Sequence, residues 1–346
     1  MTPFQKLSFE PQHDEMHSCR TDDGWRIALY RYRPKGGAAE AQENRQPVLL
    51  VHGGASTRFA WDLGDGIGFA PWLAARGHDV WTVDLRGRKR AGGRLGRVKL
   101  PQWTFDHLVE FDLPAVIRAV RSKTGADSIH YVGHSMGGMI GYCYLIRYDG
   151  QGISRMVTLG SSAVMHGVPP WVANLRSVFY RLGPDLRIDL LAKLGALFID
   201  RLPARYFRSA ANPDNVDREV LARYLWRGVA AIPSRKAAHF ARIAGEGGLV
   251  TRDGRVRYFE LLHRIETPVF VVAGSIDRLV DVKAARETWE KIGSRQKRWR
   301  VLGRAHGERE DYAHGDLLWG RHAGEELFPD IERFLWSGKA QLRQVV

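Results

Sequence analysis

One stretch of the chain reads Ile129-His130-Tyr131-Val132-Gly133-His134-Ser135-Met136-Gly137-Gly138, with a serine between two glycines. An apolar run precedes this Gly-x-Ser-x-Gly frame and small residues follow it, which predicts a buried strand that turns sharply into a helix at Ser135. The glycines at 133 and 137 permit the turn, because a side chain at either position would collide with a neighbouring strand or helix. A hydroxyl held at such a turn projects toward a base and toward free backbone N–H groups. Ser135 is therefore the candidate nucleophile.

Strand and helix patterns alternate along most of the chain. The turn Asp22-Asp23-Gly24 predicts an antiparallel hairpin between 18–20 and 25–33. Further strands are predicted at 48–51, 79–83, 128–132, 153–159, 268–272 and 298–302, and helices at 69–75, 105–124, 136–147, 282–292 and 329–336. This alternation favours an α/β fold with a mostly parallel central sheet flanked by helices.

The long segment after the sixth predicted strand carries helical patterns instead of strand patterns. Amphipathic helices are predicted at 172–182, 186–199 and 218–229. An insertion here lies above the carboxyl ends of the strands, where open α/β sheets bind ligands. We therefore expect a core of residues 1–162 and 268–346 and a helical cap of residues 163–267. Five of its aromatic residues fit either the interior of the cap or a substrate contact: Trp171, Phe179, Tyr180, Phe198 and Tyr206.

An acid and a base are expected to follow the serine, in the chain order Ser, Asp or Glu, His. The strand at 268–272 leads into Ala273-Gly274-Ser275-Ile276-Asp277, which puts a carboxylate one short loop beyond a strand end, level with Ser135. Asp277 is the candidate acid, and Asp281 is its nearest rival. The acid holds the tautomer of the histidine and stabilises the imidazolium.

Three histidines follow the last predicted strand and compete for the role of base. His306 comes directly after the strand, His314 comes next and His322 is expected on the surface of a helix. Position alone favours His306.

The oxyanion that forms on the substrate needs two backbone N–H groups. Met136, the residue after the nucleophile, supplies one. The loop His52-Gly53-Gly54-Ala55 after the strand at 48–51 supplies the other, most simply from Gly54. We expect the imidazole of His52 to brace this loop through hydrogen bonds. No metal or cofactor is implied.

Composition places the chain among water-soluble globular proteins. It has 346 residues, of which 44% are hydrophobic, a mean hydropathy of −0.31, and no apolar run near the roughly 20 residues of a membrane span. No secretory signal is visible in the first 20 residues. Two cysteines, Cys19 and Cys143, are too few for a disulfide framework and agree with a reducing cytoplasm.

The net charge of +14 is the unusual feature of the composition. Basic residues cluster between 86 and 99: Arg86, Arg88, Lys89, Arg90, Arg94, Arg97 and Lys99. No nucleic-acid-binding motif accompanies them, so we exclude nucleic acid as a partner. A solvated loop is the first interpretation of the cluster, and weak contact with an anionic membrane surface or an acidic substrate is the second.

Several motifs together resemble one family. They are Thr21-Asp22-Asp23-Gly24-Trp25, Phe111-Asp112-Leu113-Pro114-Ala115 with Thr124-Gly125, His130-Tyr131-Val132-Gly133-His134-Ser135, and Tyr312-Ala313-His314-Gly315-Asp316 with Trp319-Gly320. On these residues the chain resembles the α/β-hydrolase superfamily, and within it the acid-lipase branch of gastric and lysosomal lipases and their bacterial relatives. The resemblance implies the α/β-hydrolase fold and shifts the base from His306 to His314.

The resemblance also implies a serine hydrolase that cleaves small-molecule carboxylic esters with an apolar acyl chain. The departures from the branch at Met136-Gly137-Gly138 and at Gly54 favour an intracellular esterase over a secreted triacylglycerol lipase. An acyltransferase would use the same covalent intermediate, with an alcohol or amine in place of water. A non-catalytic binding protein on the same fold is a third hypothesis, which the presence of all three catalytic residue types disfavours.

Overall fold

Eight strands form one sheet within the described residues, which in this computed structural model are 7–35, 46–88, 103–166, 185–204, 207–208 and 210–336. The strands are β1 (Glu15–Arg20), β2 (Arg26–Tyr32), β3 (Val48–Val51), β4 (Val80–Asp84), β5 (Ile129–His134), β6 (Ile153–Leu159), β7 (Val269–Gly274) and β8 (Lys297–Leu302). Their order across the sheet is β1-β2-β4-β3-β5-β6-β7-β8.

The sheet is antiparallel at one edge and parallel elsewhere. β1 pairs with β2 and β2 with β4 in antiparallel register, whereas every pairing among β3 to β8 is parallel. Every residue of β3, β4 and β5 is buried, as expected for strands covered on both faces. The predicted hairpin and the mostly parallel sheet are confirmed. β5 continues two residues beyond its predicted end, so the strand leads directly into Ser135.

Helices cover the two faces of the sheet. They are α1 (Phe69–Ala75), α2 (Phe105–His107), α3 (Leu113–Thr124), α4 (Met136–Arg147), α5 (Ile188–Leu197), α6 (Arg218–Arg223), α7 (Ser234–Gly245), α8 (Val282–Lys291), α9 (Asp316–Trp319), α10 (Ala323–Glu326) and α11 (Phe328–Trp336). None of the described helices is long and apolar enough to cross a bilayer.

The single helix predicted at 105–124 is broken by a π-helical turn, Leu108–Asp112, between α2 and α3. Pro114 stands at the start of α3 and has no N–H to donate to the carbonyl of Glu110. That carbonyl accepts a hydrogen bond from the Tyr148 hydroxyl at 3.4 Å instead. The helix predicted at 218–229 likewise ends at Arg223 and continues as a π turn over Tyr224–Gly228.

The segment between β6 and β7 contributes α5, α6 and α7 and packs against the loop after β3. Thr57 N donates to the carbonyl of Gly228 at 2.9 Å, and Ala230 N donates to the carbonyl of Ala55 at 2.9 Å. The helix predicted at 172–182 lies outside the described residues, as do Trp171, Phe179, Tyr180 and Tyr206. The boundaries of the cap at 163 and 267 stay a prediction.

Arg86 and Arg88 correct the interpretation of the basic cluster as a solvated loop. Both are buried, with 1% and 4% of their surface exposed. Arg86 donates from Nε to Asp112 at 2.6 Å and from its two terminal nitrogens to Asp23 at 2.7 and 2.8 Å. These carboxylates come from distant parts of the chain, so a local count of charges could not pair them with the cluster. Lys89, Arg90, Arg94, Arg97 and Lys99 lie outside the described residues.

Replacing Asp112 by Ala leaves the buried guanidinium of Arg86 with Asp23 as its remaining ion-pair partner. We expect this loss to lower the free energy of unfolding by about 3–5 kcal/mol. We expect urea unfolding of Asp112→Ala to show a much lower midpoint. The matched control is Asp22→Ala, which also breaks an Asp–Arg pair but an exposed one, with Arg118. Surface pairs contribute about 0–1 kcal/mol. Equal shifts in the two variants would contradict a stabilising role for the buried pair.

Candidate active site

Ser135 occupies a strained turn between β5 and α4. Its φ of 53° and ψ of −119° lie where residues with a side chain rarely occur, and its N–H donates to the carbonyl of Leu159 at 2.9 Å. A Cβ added to Gly133 would come within 2.5 Å of the backbone of Gly137, and one added to Gly137 would come within 2.2 Å of the carbonyl oxygen of Val51. The two glycines of the motif are therefore needed for the close approach of α4 to β3 and β5.

His314 and Asp277 form a buried hydrogen-bonded pair at the same edge of the sheet. The Nδ1 atom of His314 lies 2.7 Å from Oδ2 of Asp277. The other carboxylate oxygen, Oδ1, accepts the backbone N–H groups of Leu279 at 2.8 Å and Val280 at 3.0 Å. Three donors therefore hold the Asp277 carboxylate in one orientation. This geometry fixes the proton of the imidazole on Nδ1 and leaves Nε2 able to accept one.

His134 connects this pair to the nucleophile turn, since it is the residue before Ser135. Its Nε2 donates to the backbone carbonyl of His314 at 3.1 Å, and the two imidazole rings lie 4.5 Å apart between centroids. Burial, reinforced by the neighbouring His314, holds the pKa of His134 well below its usual value. His134 is therefore neutral, and its Nε2–H connects the backbone of His314 to the residue that precedes Ser135.

The loop that carries His314 is held by Asp316, a residue whose role the sequence did not indicate. The carboxylate of Asp316 accepts the N–H of Ala313 at 2.9 Å and that of Asn212 at 3.0 Å. Gly315 N also donates to the carbonyl of Ala210 at 2.7 Å. Burial raises the pKa of Asp316 to about 7. Asn212 and Ala210 belong to the segment between β6 and β7, so that segment helps to position the histidine.

The rival residues are not brought into this cluster. His306 ends an exposed 3-10 turn, Arg304–His306, after β8. Asp281 is exposed and its carboxylate accepts the N–H of Lys283 at 3.1 Å, which caps α8. The structure therefore joins Asp277, predicted from its place after a strand, to His314, the histidine that the family resemblance favoured, and leaves His306 and Asp281 in local roles.

Gly54 and Met136 face each other across the nucleophile turn. A Cβ on Gly54 would lie 3.7 Å from Cβ of Met136. Met136 is the first residue of α4, so its N–H has no acceptor within the helix. Gly54 lies inside the turn that Ser56 N closes on the carbonyl of Gly53 at 3.3 Å. Both predicted donors are thus in one place, beside Ser135.

His52 braces this loop as expected. Its Nδ1 donates to the carbonyl of Gly53 at 2.8 Å, and its Nε2 accepts the N–H of Leu85 at 3.3 Å. Burial, with the nearby charge of Arg88, holds the pKa of His52 well below its usual value, which keeps the imidazole neutral and lets it donate and accept at once.

Two buried basic side chains, whose place in the site the sequence did not indicate, donate to the carbonyl of Gly54. Arg88 donates from Nη2 at 2.7 Å and Lys236, on α7, donates from Nζ at 2.6 Å. Burial lowers the pKa of Lys236 well below its usual value and, for Arg88, lowers it to about 10. The sequence around Lys236 does not indicate that its amino group is buried, because a lysine on an amphipathic helix is normally expected on the exposed face. Within the described part of the chain, no cluster of three or more His, Cys, Asp or Glu side chains is arranged to hold a metal ion.

Comparisons with known proteins identify the fold family of the chain. A family model described as alpha/beta hydrolase fold matches residues 46–307. Gastric triacylglycerol lipase of Bos taurus is 34% identical over 191 residues, which are 53% of this chain and 42% of that relative, so the match spans less than half of its length. Gastric triacylglycerol lipase of Mus musculus is 24% identical over 380 residues, 96% of this chain and 90% of the relative.

A solved structure of a thermophilic esterase from Thermogutta terrifontis has a TM-score of 0.58 and 18% identity, over 95% of this chain and 98% of that one. At this level of identity the likeness concerns the fold.

The close approach at the nucleophile turn can be tested by adding a single methyl group. Alanine favours a helix over glycine by about 0.5–1 kcal/mol, yet in Gly137→Ala the methyl group would meet the Val51 carbonyl oxygen at 2.2 Å. We therefore expect a clear loss of thermal stability. The control is Gly195→Ala on α5, where the new methyl group meets only Leu225 at 3.8 Å and stability should be kept or raised. A Gly137→Ala variant as stable as the parent would refute the contact.

Proposed function

The chain belongs to the α/β-hydrolase fold family, and on that premise we propose that it hydrolyses carboxylic esters through an acyl-enzyme formed on Ser135. The observation that carries the proposal is the 2.7 Å hydrogen bond between His314 and Asp277 beside the strained turn at Ser135. The names of the relatives, triacylglycerol lipases, support carboxylic ester hydrolase activity.

In the proposed reaction the hydroxyl oxygen of Ser135 attacks the ester carbonyl while Nε2 of His314 takes its proton. The imidazolium then gives this proton to the leaving alkoxide, and the acyl group stays on the serine. Water attacks the acyl-enzyme in the same way, with His314 again as base, and releases the carboxylic acid. Asp277 holds the tautomer of His314 and stabilises the imidazolium through the bond to Nδ1.

The backbone N–H groups of Gly54 and Met136 are assigned to stabilise the negative charge on the substrate oxygen of each tetrahedral intermediate. Such donors are held in place before the reaction, so they stabilise the transition state without reorganisation; losing one costs about 10²–10³-fold in kcat. The hydrogen bonds from Arg88 and Lys236 to the Gly54 carbonyl support this role, because they keep the turn in one conformation.

We further propose that the acyl chain of the substrate is apolar and lies under the helices between β6 and β7. Two apolar side chains beside Asp277 are exposed in support of this, Ile276 at 40% and Leu279 at 60%. A cytoplasmic location stays a prediction of the sequence. Weak contact with anionic membranes also stays a prediction, since residues 89–99 of the basic cluster lie outside the described residues.

A fluorophosphonate probe should label Ser135 and no other serine, because only a serine activated by a base attacks phosphorus readily. Intact-protein mass spectrometry followed by peptide mapping gives the site of the label. Ser135→Ala should lose both the label and the hydrolysis of p-nitrophenyl esters. Label on a different serine, with Ser135 unmodified, would contradict the proposal.

The base is tested by a pair of histidine variants. His314→Ala should lower kcat for a p-nitrophenyl ester by about 10³-fold or more, as loss of a triad member does. His306→Ala is the matched control, since His306 is exposed and outside the cluster, and it should keep most of the activity. Circular dichroism checks that both variants are folded. A large loss in His306→Ala with an active His314→Ala would transfer the role to His306.

A further inference from the structure

A cavity of about 590 Å³ lies beside the loop of Gly54, at the carboxyl end of β4, where Asp84 lines it. Its charged lining consists of Arg58, Arg88, Arg187, Lys193 and Arg227 against Asp84, Asp185 and Asp189, and Tyr30 and Phe59 line it beside Arg58. The cavity is within the 300–1,000 Å³ range that small ligands occupy. Neither Ser135 nor His314 lines it, so it is distinct from the place where the ester carbonyl reacts.

Two buried guanidinium groups line this cavity. Arg58 and Arg88 have 2% and 4% of their surface exposed, and Asp84, at 6%, is the carboxylate buried with them. Neither arginine has an ion-pair partner among the described residues. The oxygens of Asp84 are already engaged, by the backbone N–H of Arg58 at 2.9 Å and the hydroxyl of Tyr30 at 3.3 Å.

Two guanidinium nitrogens in this wall are buried without a hydrogen-bond partner, Nη1 of Arg58 and Nε of Arg88. A buried donor left unpaired costs free energy, and more so when it is charged. Guanidinium groups are the side chains best suited to bind a carboxylate or phosphate, since their N–H groups match the spacing of its oxygens. Within the described residues these two nitrogens have no acceptor, which favours an anion bound beside them.

Arg58 is held rigidly for such a contact. Its guanidinium carbon lies 3.8 Å from the ring centroid of Tyr30 and 4.3 Å from that of Phe59. Stacking between two aromatic rings fixes the plane of the guanidinium, so little conformational entropy is lost when an anion binds.

Arg88 links the cavity to the reacting centre, because the guanidinium that faces the cavity also donates to the carbonyl of Gly54 at 2.7 Å. We propose that the cavity is a subsite for an anionic oxyacid group, a carboxylate or a phosphate, bound by Arg58 and Arg88. The group is either part of the ester substrate, in which case the inference rests on the proposed function, or a free anion.

Binding is tested first, without reference to activity. The melting temperature of the full chain is measured with increasing inorganic phosphate and, separately, succinate, against sodium chloride at matched ionic strength. A ligand that binds the native state raises stability in a saturable manner, so we expect a saturable rise with phosphate or succinate and none with chloride. In Arg58→Gln the rise should be lost, and in Arg58→Lys, which keeps the charge, it should be partly restored.

The source of the anion is tested with two esters that differ in one charge, mono-4-nitrophenyl succinate and its ω-methyl ester. If the anion is part of the substrate, kcat/KM in the parent should be higher for the charged ester than for its methyl ester. The ratio of the two values, charged over uncharged, should fall by about tenfold or more in Arg58→Gln, because the variant loses one charge-assisted hydrogen bond. Hydrolysis of the uncharged methyl ester measures the proposed function separately. The control Arg118→Gln removes an equal charge at an exposed position and should keep the parent ratio.

The outcomes are distinct. An Arg58-dependent preference for the succinate ester supports a substrate-borne anion, and Arg58-dependent stabilisation without that preference supports a free anion. Chloride, phosphate and succinate acting alike, with equal ester ratios in the parent and Arg58→Gln, would overturn the subsite even if the methyl ester is hydrolysed. If Arg58→Gln does not fold, the comparison is made between the parent and Arg58→Lys, which should show a weaker response to either anion.

Discussion

The active-site geometry depends on the close approach of α4 to β3 at the nucleophile turn. The first turn of the helix passes so near the carbonyl of Val51 that only glycine fits at 137. This contact sets Met136 beside Gly54 and forces Ser135 into a backbone conformation that costs about 1–3 kcal/mol. The packing of β3 and β5, in which every residue is buried, offsets this strain.

The segment between β6 and β7 takes part in the site as well as covering it. Lys236 on α7 reaches the carbonyl of Gly54, and Asn212 donates its backbone N–H to the carboxylate that holds the His314 loop. The loop after β3 and the histidine loop therefore both depend on residues of that segment. A change in its packing would alter the positions of the Gly54 loop and of His314 together.

Buried charge distinguishes this site from a purely apolar ester pocket. Arg86 is neutralised by Asp23 and Asp112, whereas Arg58 and Arg88 keep unpaired nitrogens beside a cavity. The two situations differ in energy, because a paired buried cation is tolerated and an unpaired one favours any anion that can reach it. Part of the high basic content of the chain is thus interior and connected to the active site.

The sequence by itself determined the features that depend on neighbouring residues. Periodicity and turn residues predicted the strands and most helices, and the Gly-x-Ser-x-Gly frame predicted the turn at Ser135, because these follow from local backbone geometry. Position along the chain favoured His306 over His314, and only family resemblance reversed it. The tertiary structure decided which histidine meets Asp277, that Arg86 and Arg88 are buried, and that Lys236 reaches the Gly54 loop. These contacts join residues far apart in sequence, and a charged side chain carries no local signal of whether folding will bury it.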